Sequence, residues 1–181
     1  RELLNYGGSQ SNFAVGSYGI KARSLIKWDI SSIPPGSTIV SAQMSMYMYQ
    51  NYIGGDITID VHRMLVGWVE GTLLGDDRSL DIPESACWLE SGNTFAWELP
   101  GADGAGDRSA TIISSTTNGG IGWYSWDITE AVQNWVDGAW ANDGLLLKSN
   151  DENSTNLKFF RTSEYLHVPS RPQLVIEYTQ P

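Results

Sequence analysis

The strongest signal in the chain is an alternation of apolar and polar residues, with a period of two, within residues 19–63. Successive side chains of a strand point to opposite faces, so this period predicts strands with one buried face. The alternation predicts strands at residues 19–30, 38–49 and 57–63. Because Gly54 and Gly55 lie between the last two, we expect those two strands to form an antiparallel hairpin.

One segment has a helical pattern instead, the sequence D-I-T-E-A-V-Q-N-W-V-D-G at residues 127–138. Asp127 or Thr129 can cap its first turn, and Gly138 can end it in a left-handed conformation. Its apolar stripe comprises Val132, Trp135 and Val136. A helix of about two turns is stable only when docked, so we expect it to pack on a sheet.

Further strands are predicted at residues 123–128, 144–149, 157–162 and 173–178. Many short strands with one brief helix predict an all-β fold, a two-sheet antiparallel β-sandwich of jelly-roll type. A barrel fits the same elements less well. The length of 181 residues, of which 41% are hydrophobic, suits a single β-sandwich module over residues 1–181.

Composition and charge narrow the range of partners. The net charge is -10 with only 11 Lys and Arg, which argues against nucleic acid because phosphate binding needs clustered cations. The longest apolar runs, such as residues 144–147, are too short to span a bilayer, so we expect no membrane insertion. An acidic chain with one cysteine, Cys87, is common among secreted microbial modules. We therefore expect an extracellular, secreted or cell-surface location.

Several separated motifs occur in a characteristic order: S-L-I-K-W-D-I-S-S-I-P-P-G-S-T-I-V-S-A-Q-M-S-M-Y at 24–47, W-x-E at 68–70, D-I-T-E-A-V-Q-N-W at 127–135, N-D-G-L-L-L at 142–147 and R-P-Q-L-V-I-E-Y at 171–178. Over nearly the whole chain this order resembles the DNRLRE domain family. The resemblance implies a non-catalytic extracellular β-sandwich, related to carbohydrate-binding modules of secreted microbial proteins, some of which bind alginate. Family members usually begin with an extra extended segment, whereas only residues 1–4 precede N-Y-G here.

This short start motivates the first functional hypothesis. A missing strand would leave a groove that a neighbouring copy can fill by strand exchange. The chain would then be a structural or adhesive subunit of a cell-surface or matrix assembly, such as a filament of copies of itself. The alternative is a carbohydrate-binding module of a secreted polysaccharide-active protein. We expect no enzyme activity, because nothing in the sequence pairs two carboxylates for glycoside hydrolysis.

Candidate site residues follow from the predicted strands and loops. The outer face of the predicted hairpin carries Tyr47, Tyr49, Asp60 and His62, which can stack on a sugar and bind its hydroxyl groups. The polar side of the first predicted strand adds three cations, Lys21, Arg23 and Lys27.

Two further groups of residues stand out in the loops. Asp103 and Asp107 lie in an oxygen-rich loop, and they are the candidates for a structural calcium ion. Trp68, Trp88 and Trp97 lie in a stretch rich in glycine and acidic residues. Because the family resemblance places W-x-E within the fold itself, it implies that these tryptophans anchor the core or a loop rather than bind a sugar.

Overall fold

The Met-rich alternation forms the longest strand, β4 (Thr38–Ile53), in a computed structural model that describes residues 6–10, 12–74, 85–92 and 94–181. Its inward side chains are fully buried, whereas the residues between them are partly exposed, as the alternation predicted. These inward residues are Ala42, Met44, Met46 and Met48. The strand therefore lies on the core with one face and leaves the other face outside.

Strand β4 is the centre of the first sheet, which has six strands in the described part of the chain. Its neighbours are β1 (Phe13–Ser17), β2 (Lys21–Ala22), β9 (Gly122–Asp127), β11 (Asn156–Phe160) and β12 (Gln173–Thr179). Strand β12 pairs with residues 38–45 of β4, β11 with residues 48–53 and β9 with residues 43–48. The residues of β4 that pair with β9 overlap both those that pair with β12 and those that pair with β11. Because a strand has two edges, β9 lies along one edge of β4, and β11 and β12 lie end to end along the other. Beyond β11, the order continues through β1 to β2.

The facing sheet has the order β3 (Ser24–Ile26), β10 (Leu145–Ser149), β5 (Ile57–Met64) and β8 (Arg108–Asn118). A small ribbon of β6 (Glu90–Gly92) and β7 (Phe95–Ala96) lies outside it. The all-β sandwich fold is confirmed. The predicted hairpin is wrong, because β4 and β5 belong to different sheets and the Gly54-Gly55 turn carries the chain across the core.

The predicted strand at residues 19–30 is also divided between the sheets. Its first part is β2 of the first sheet and its second part is β3 of the facing sheet, so the chain crosses at Arg23. An alternating pattern predicts which side chains are buried, but it does not say which neighbour a strand will pair with. The alternation of apolar and polar residues continues through both β2 and β3, so the sequence pattern does not reveal the crossing between the sheets.

In the described part of the chain, two hydrophobic clusters stabilise the fold. The larger cluster lies between the sheets and includes the β4 methionines, Ile59, Val61, Trp126 and Phe160. The smaller cluster covers the outer face of the second sheet and comprises Met64, Ala86, Trp97, Ala102 and Leu146. The Trp97 indole donates to the Cys87 carbonyl at 2.9 Å, and the Trp68 indole donates to the Asp143 carbonyl at 2.8 Å. These tryptophans therefore anchor the loop that covers the second sheet, which is described over residues 65–74, 85–92 and 94–107.

The predicted helix is confirmed as α1 (Thr129–Val136). Asp127 accepts hydrogen bonds from the Thr129 amide at 2.9 Å and hydroxyl at 2.6 Å, and Gly138 follows with a φ of 68°. Beyond the end of β9, helix side chains bind the backbone amides of β4 in place of a paired strand. Thr129 Oγ1 accepts from the Ala42 amide, and Gln133 Oε1 accepts from the Ile39 amide. Within the described residues no helix is long and apolar enough to cross a membrane.

The N-Y-G-G segment is packed rather than free where it is described. The Gly8 amide donates to the Leu73 carbonyl at 3.0 Å, and a side chain at Gly7 would collide with the Glu70 carbonyl. Glycine is therefore required for this close approach. The predicted short start, residues 1–4, lies outside the described residues.

Candidate functional site

The outer face of the first sheet carries a continuous row of aromatic rings. Tyr49 lies 6.3 Å from Phe159 between ring centroids, Phe159 lies 6.1 Å from Tyr52, and Tyr52 lies 5.5 Å from Tyr18. The rings come from β4, from β11 and from the turn after β1. Pairing of β11 between β4 and β1 brings them together.

A guanidinium group extends the row at its Tyr49 end. The Arg161 Cζ atom lies 3.9 Å from the Tyr49 ring centroid and 3.8 Å from the Tyr165 ring centroid. Stacking between two rings holds the planar group in place by cation–π and π contacts. Among the described residues no hydrogen bond or ion pair is formed by this guanidinium. We call this row, from Tyr18 through Tyr52, Phe159, Tyr49 and Arg161 to Tyr165, the aromatic face.

A second ring pair extends the outer face across β4. Tyr47 and Trp123 are cross-strand partners in β4 and β9, with their ring centroids 5.5 Å apart. Trp123 is 44% exposed. Two of the predicted sugar-binding residues, Tyr47 and Tyr49, therefore do lie on an accessible aromatic surface.

A groove of about 640 Å³ adjoins this surface where β1, β2 and β3 meet. Tyr18, Leu157 and Phe159 line both the groove and its border with the aromatic face. The lining of the groove also includes Trp28, Trp68, Trp88 and Glu70. The pKa of the Glu70 carboxyl is raised because burial disfavours its charged form, and the nearby Glu164 charge adds to this effect.

The three predicted cations do not form a basic strip. The Arg23 side chain is only 3% exposed, donates to Glu152 and to the Gly101 carbonyl, and stacks on Trp88. Lys21 lies 3.6 Å from Glu152 and is 45% exposed. Lys27 is exposed at the rim of the groove. Arg23 is thus a structural anchor, and Lys21 and Lys27 remain accessible.

Asp60 and His62 lie on the opposite side of the molecule from Tyr47 and Tyr49. Both are buried and have partners on the neighbouring strand β8: Asp60 accepts from the Ser115 hydroxyl at 2.6 Å, and His62 Nδ1 lies 3.0 Å from the Ser109 carbonyl. Burial lowers the pKa of His62, and the nearby Arg108 charge lowers it further. The predicted common surface is not formed, because β4 and β5 are strands of different sheets.

The two candidate calcium ligands both have protein partners. Asp103 pairs with Arg23 at 3.1 Å, Arg108 at 2.5 Å and Lys148 at 3.4 Å. Although burial opposes it, these cations hold the pKa of Asp103 well below its usual range. Asp107 is buried and accepts from the amides of Glu98, Leu99 and Gly104. In the described ranges no group of three or more His, Cys, Asp or Glu side chains is placed to hold a metal ion.

The family model for the disaggregatase related repeat domain matches residues 7–176 of the chain. The chain belongs to this family. The match covers most of both sheets, and its description identifies the chain as a repeat module. The DNRLRE name expected from the sequence motifs is not the one that the family model carries. None of the curated proteins compared with the chain matches it.

Most of the aromatic face of this repeat module was not among the predicted site residues. Tyr18, Tyr52, Phe159, Arg161 and Tyr165 were missed because they come from three separate parts of the chain. Their proximity depends on β11 lying between β1 and β4, a register that local patterns do not contain. The available signal was weak, namely aromatic residues on the outward positions of predicted strands.

Proposed function

We propose that this repeat module binds carbohydrate without catalysis and that the aromatic face is its binding site. The observation that carries the proposal is the unbroken row of outward rings from Tyr18 to Tyr165. Aromatic rings stack on the apolar faces of pyranose units, and each exposed ring adds binding energy with little loss of side-chain freedom. A row of rings along a flat sheet suits an extended polysaccharide.

Arg161 gives this site a polar recognition element. Its guanidinium is held between two rings while its N–H groups lack a partner among the described residues, so it can donate to sugar hydroxyls or to a carboxylate. The chain as a whole has a net charge of -10, which repels a densely anionic polymer. We therefore favour a neutral or sparsely charged glycan.

Binding rather than hydrolysis is favoured by the carboxylates near the site. Glycoside hydrolysis uses two carboxyl groups across a cleft. Among the described residues that line the groove, Glu70 is the one carboxylic acid. Glu164, whose charge contributes to the raised pKa of Glu70, is not among the residues that line the groove, so the described lining does not supply both the acid and the nucleophile or base.

The repeat character of the family supports weak binding by several modules in series. When one of several linked modules binds a polymer, the next module is held near it at a high effective concentration, so the linked modules together bind more tightly than a single copy. We place the module outside the cell, as expected from its composition, because polysaccharides are accessible there. The single module is then expected to bind weakly, and tandem copies more tightly.

Affinity electrophoresis through gels containing soluble polysaccharides, followed by titration calorimetry with the retarding one, tests this function. We expect the wild-type module to be retarded, and Tyr49→Ala and Arg161→Ala to reduce affinity at least about tenfold. Phe95→Ala is the matched control, since Phe95 is 70% exposed but lies on β7, away from the aromatic face. Equal losses in all three variants would argue against this site.

Assembly with copies of itself is the second candidate function, and the edge of β12 favours it. Within the described part of the chain β12 pairs only with β4, and its inward Leu174, Ile176 and Tyr178 are incompletely buried. Val175 is 64% exposed on the same strand. An open edge of this kind can accept a strand from a neighbour and so build a structural or adhesive fibre.

Size-exclusion chromatography and electron microscopy at increasing concentration test assembly. We expect wild-type oligomers or fibres, and a shift to monomer in Val175→Lys, because an edge lysine opposes strand addition. Val40→Lys is the control, since Val40 is also exposed but lies on the central strand. Monomer at every concentration would exclude this function and leave glycan binding unaffected.

A further inference from the structure

Lys158 is a fully buried cation that has no carboxylate among its hydrogen-bond partners in the described part of the chain. It lies in β11, between β1 and β4, with none of its surface exposed. Its Nζ atom donates to Asn51 Oδ1 at 2.7 Å, to the Ile53 carbonyl at 3.1 Å and to Asn156 Oδ1. Burying an ammonium group beside neutral oxygens alone is costly. Burial accordingly lowers the pKa of Lys158, although the Asp56 charge opposes the shift.

The side chains of Lys158 and Asn51 face each other across two strands. The two residues are direct partners in the β4–β11 register and are 107 positions apart in sequence. The Asn51 amide nitrogen donates to the Gly119 carbonyl at 2.9 Å, which turns its carbonyl oxygen towards Lys158. An amine and a carboxamide are thus held in contact, and such fixed proximity strongly accelerates reaction between two groups.

We propose that Lys158 and Asn51 react to form an intramolecular isopeptide bond between β4 and β11. The unprotonated Lys158 Nζ attacks Asn51 Cγ, a new C–N bond forms, and the bond from Cγ to Nδ2 breaks. One of the two N–H protons of the neutral Lys158 amine passes to Asn51 Nδ2, which leaves as ammonia, and the other stays on the new amide nitrogen, so no oxidant or cofactor is required.

Asn51 is a better acceptor than Asn156. Asn156 lies two residues from Lys158 on the same strand, is buried, and donates through Nδ2 to the Asp56 carbonyl at 3.0 Å. Asn51 is exposed on its other side, so ammonia can leave there. A link through Asn51 also joins two strands, whereas one through Asn156 would only bridge neighbouring residues.

Intact-mass measurement of the denatured wild-type protein tests the proposal. The expected mass is that of the sequence less one ammonia, and digestion should yield a branched peptide containing Lys158 and Asn51. Lys158→Met and Asn51→Ala should each show the full mass of their sequences, while Asn156→Ala should still lose ammonia. A wild-type protein of full sequence mass after prolonged incubation overturns the proposal, whatever the variants do.

Ammonia is also lost when an Asn-Gly pair closes to a succinimide, and Asn118-Gly119 is such a pair. Succinimide formation would persist in Lys158→Met and would give a linear peptide, so the branched peptide is the decisive product. Melting temperatures provide a second readout. If the link forms, Lys158→Met, Asn51→Ala and the double variant should melt at the same lower temperature. A double variant with an additive loss would show that the two side chains do not act as one linked pair.

Discussion

Arg23 binds both carboxylate oxygens of Glu152, with its Nε and a terminal nitrogen each 2.6 Å from one oxygen. The pair lies where the chain crosses from the first sheet to the second, and both side chains are almost fully buried. It ties that crossing to the turn after β10. The same guanidinium donates to the Gly101 carbonyl and so also holds the loop on the second sheet.

Replacing Arg23 with methionine should therefore destabilise the protein strongly. Removing one partner of a buried pair costs roughly 3–5 kcal/mol, and Glu152 would keep only its longer contacts, to Lys21 at 3.6 Å and Lys148 at 3.7 Å. Urea unfolding followed by tryptophan fluorescence measures the loss. Lys21→Met is the matched control, because the pair of Lys21 with Glu152 is 3.6 Å long and largely exposed on the lysine side, so its loss should stay within about 1 kcal/mol. Similar losses for both variants would contradict this role of Arg23.

Acid should destabilise the protein in two stages, the first of which depends on His62. Its pKa is lowered in the folded state from the ordinary value of 6.5, because burial and Arg108 disfavour the imidazolium. The unfolded chain then binds more protons, so stability is complete above pH 6.5 and falls as the pH decreases towards the folded pKa. His62→Gln should remove this stage, whereas His167→Gln, at an exposed position, should retain it. Unfolding free energies measured between pH 7 and pH 5 check this prediction.

The second stage should come from the carboxylates of the ion network. The pKa values of Asp103 and Glu152 are lowered in the folded state; burial opposes these shifts, but hydrogen bonds and charge from Arg108 and Arg23 outweigh it. Their contribution is therefore present above the ordinary values of 3.8 and 4.5 and is lost below them. Glu152→Gln should reduce the steepness of this stage when stability is measured between pH 5 and pH 2. An unchanged slope would mean that the network does not control acid unfolding.

The sequence predicted burial better than it predicted pairing. The alternation in β4 identified Met44 and Met46 as inward residues because each position depends only on its own strand. Whether Ile59 belongs to the same sheet depends instead on the conformation of the turn at Gly54. Two adjacent glycines allow many turn conformations, so the sequence does not determine which sheet β5 joins. The aromatic face could not be predicted from the sequence for a similar reason. Tyr18, Tyr52 and Phe159 become neighbours only when β11 pairs with both β1 and β4. Tyr47 and Tyr49 could be predicted to share the outer face because one strand carries both.

Asp107 should organise the loop that covers the second sheet. Its buried carboxylate accepts three backbone hydrogen bonds, at 2.8, 3.1 and 2.9 Å, which satisfy amides of residues 98, 99 and 104. Asp107→Ala leaves these amides unpaired and should cost about 2–4 kcal/mol, since bonds to charged groups are each worth roughly 1.5–3 kcal/mol and the loop can partly relax. Hydrogen exchange should show faster exchange in this loop. Asp107→Asn keeps one acceptor oxygen and should lie between the wild type and the alanine variant.

The calcium prediction can be decided on the same loop. Asp103 is neutralised by three cations, and the oxygens of Asp107 are occupied by backbone amides, so neither offers a free charged ligand of the kind calcium prefers. We expect the melting temperature to be the same in EDTA and in millimolar calcium. The Asp107→Ala variant extends the test, because its lower melting temperature should also be insensitive to calcium. A drop in EDTA that is present in the wild type and absent in Asp107→Ala would instead assign a structural calcium ion to this carboxylate.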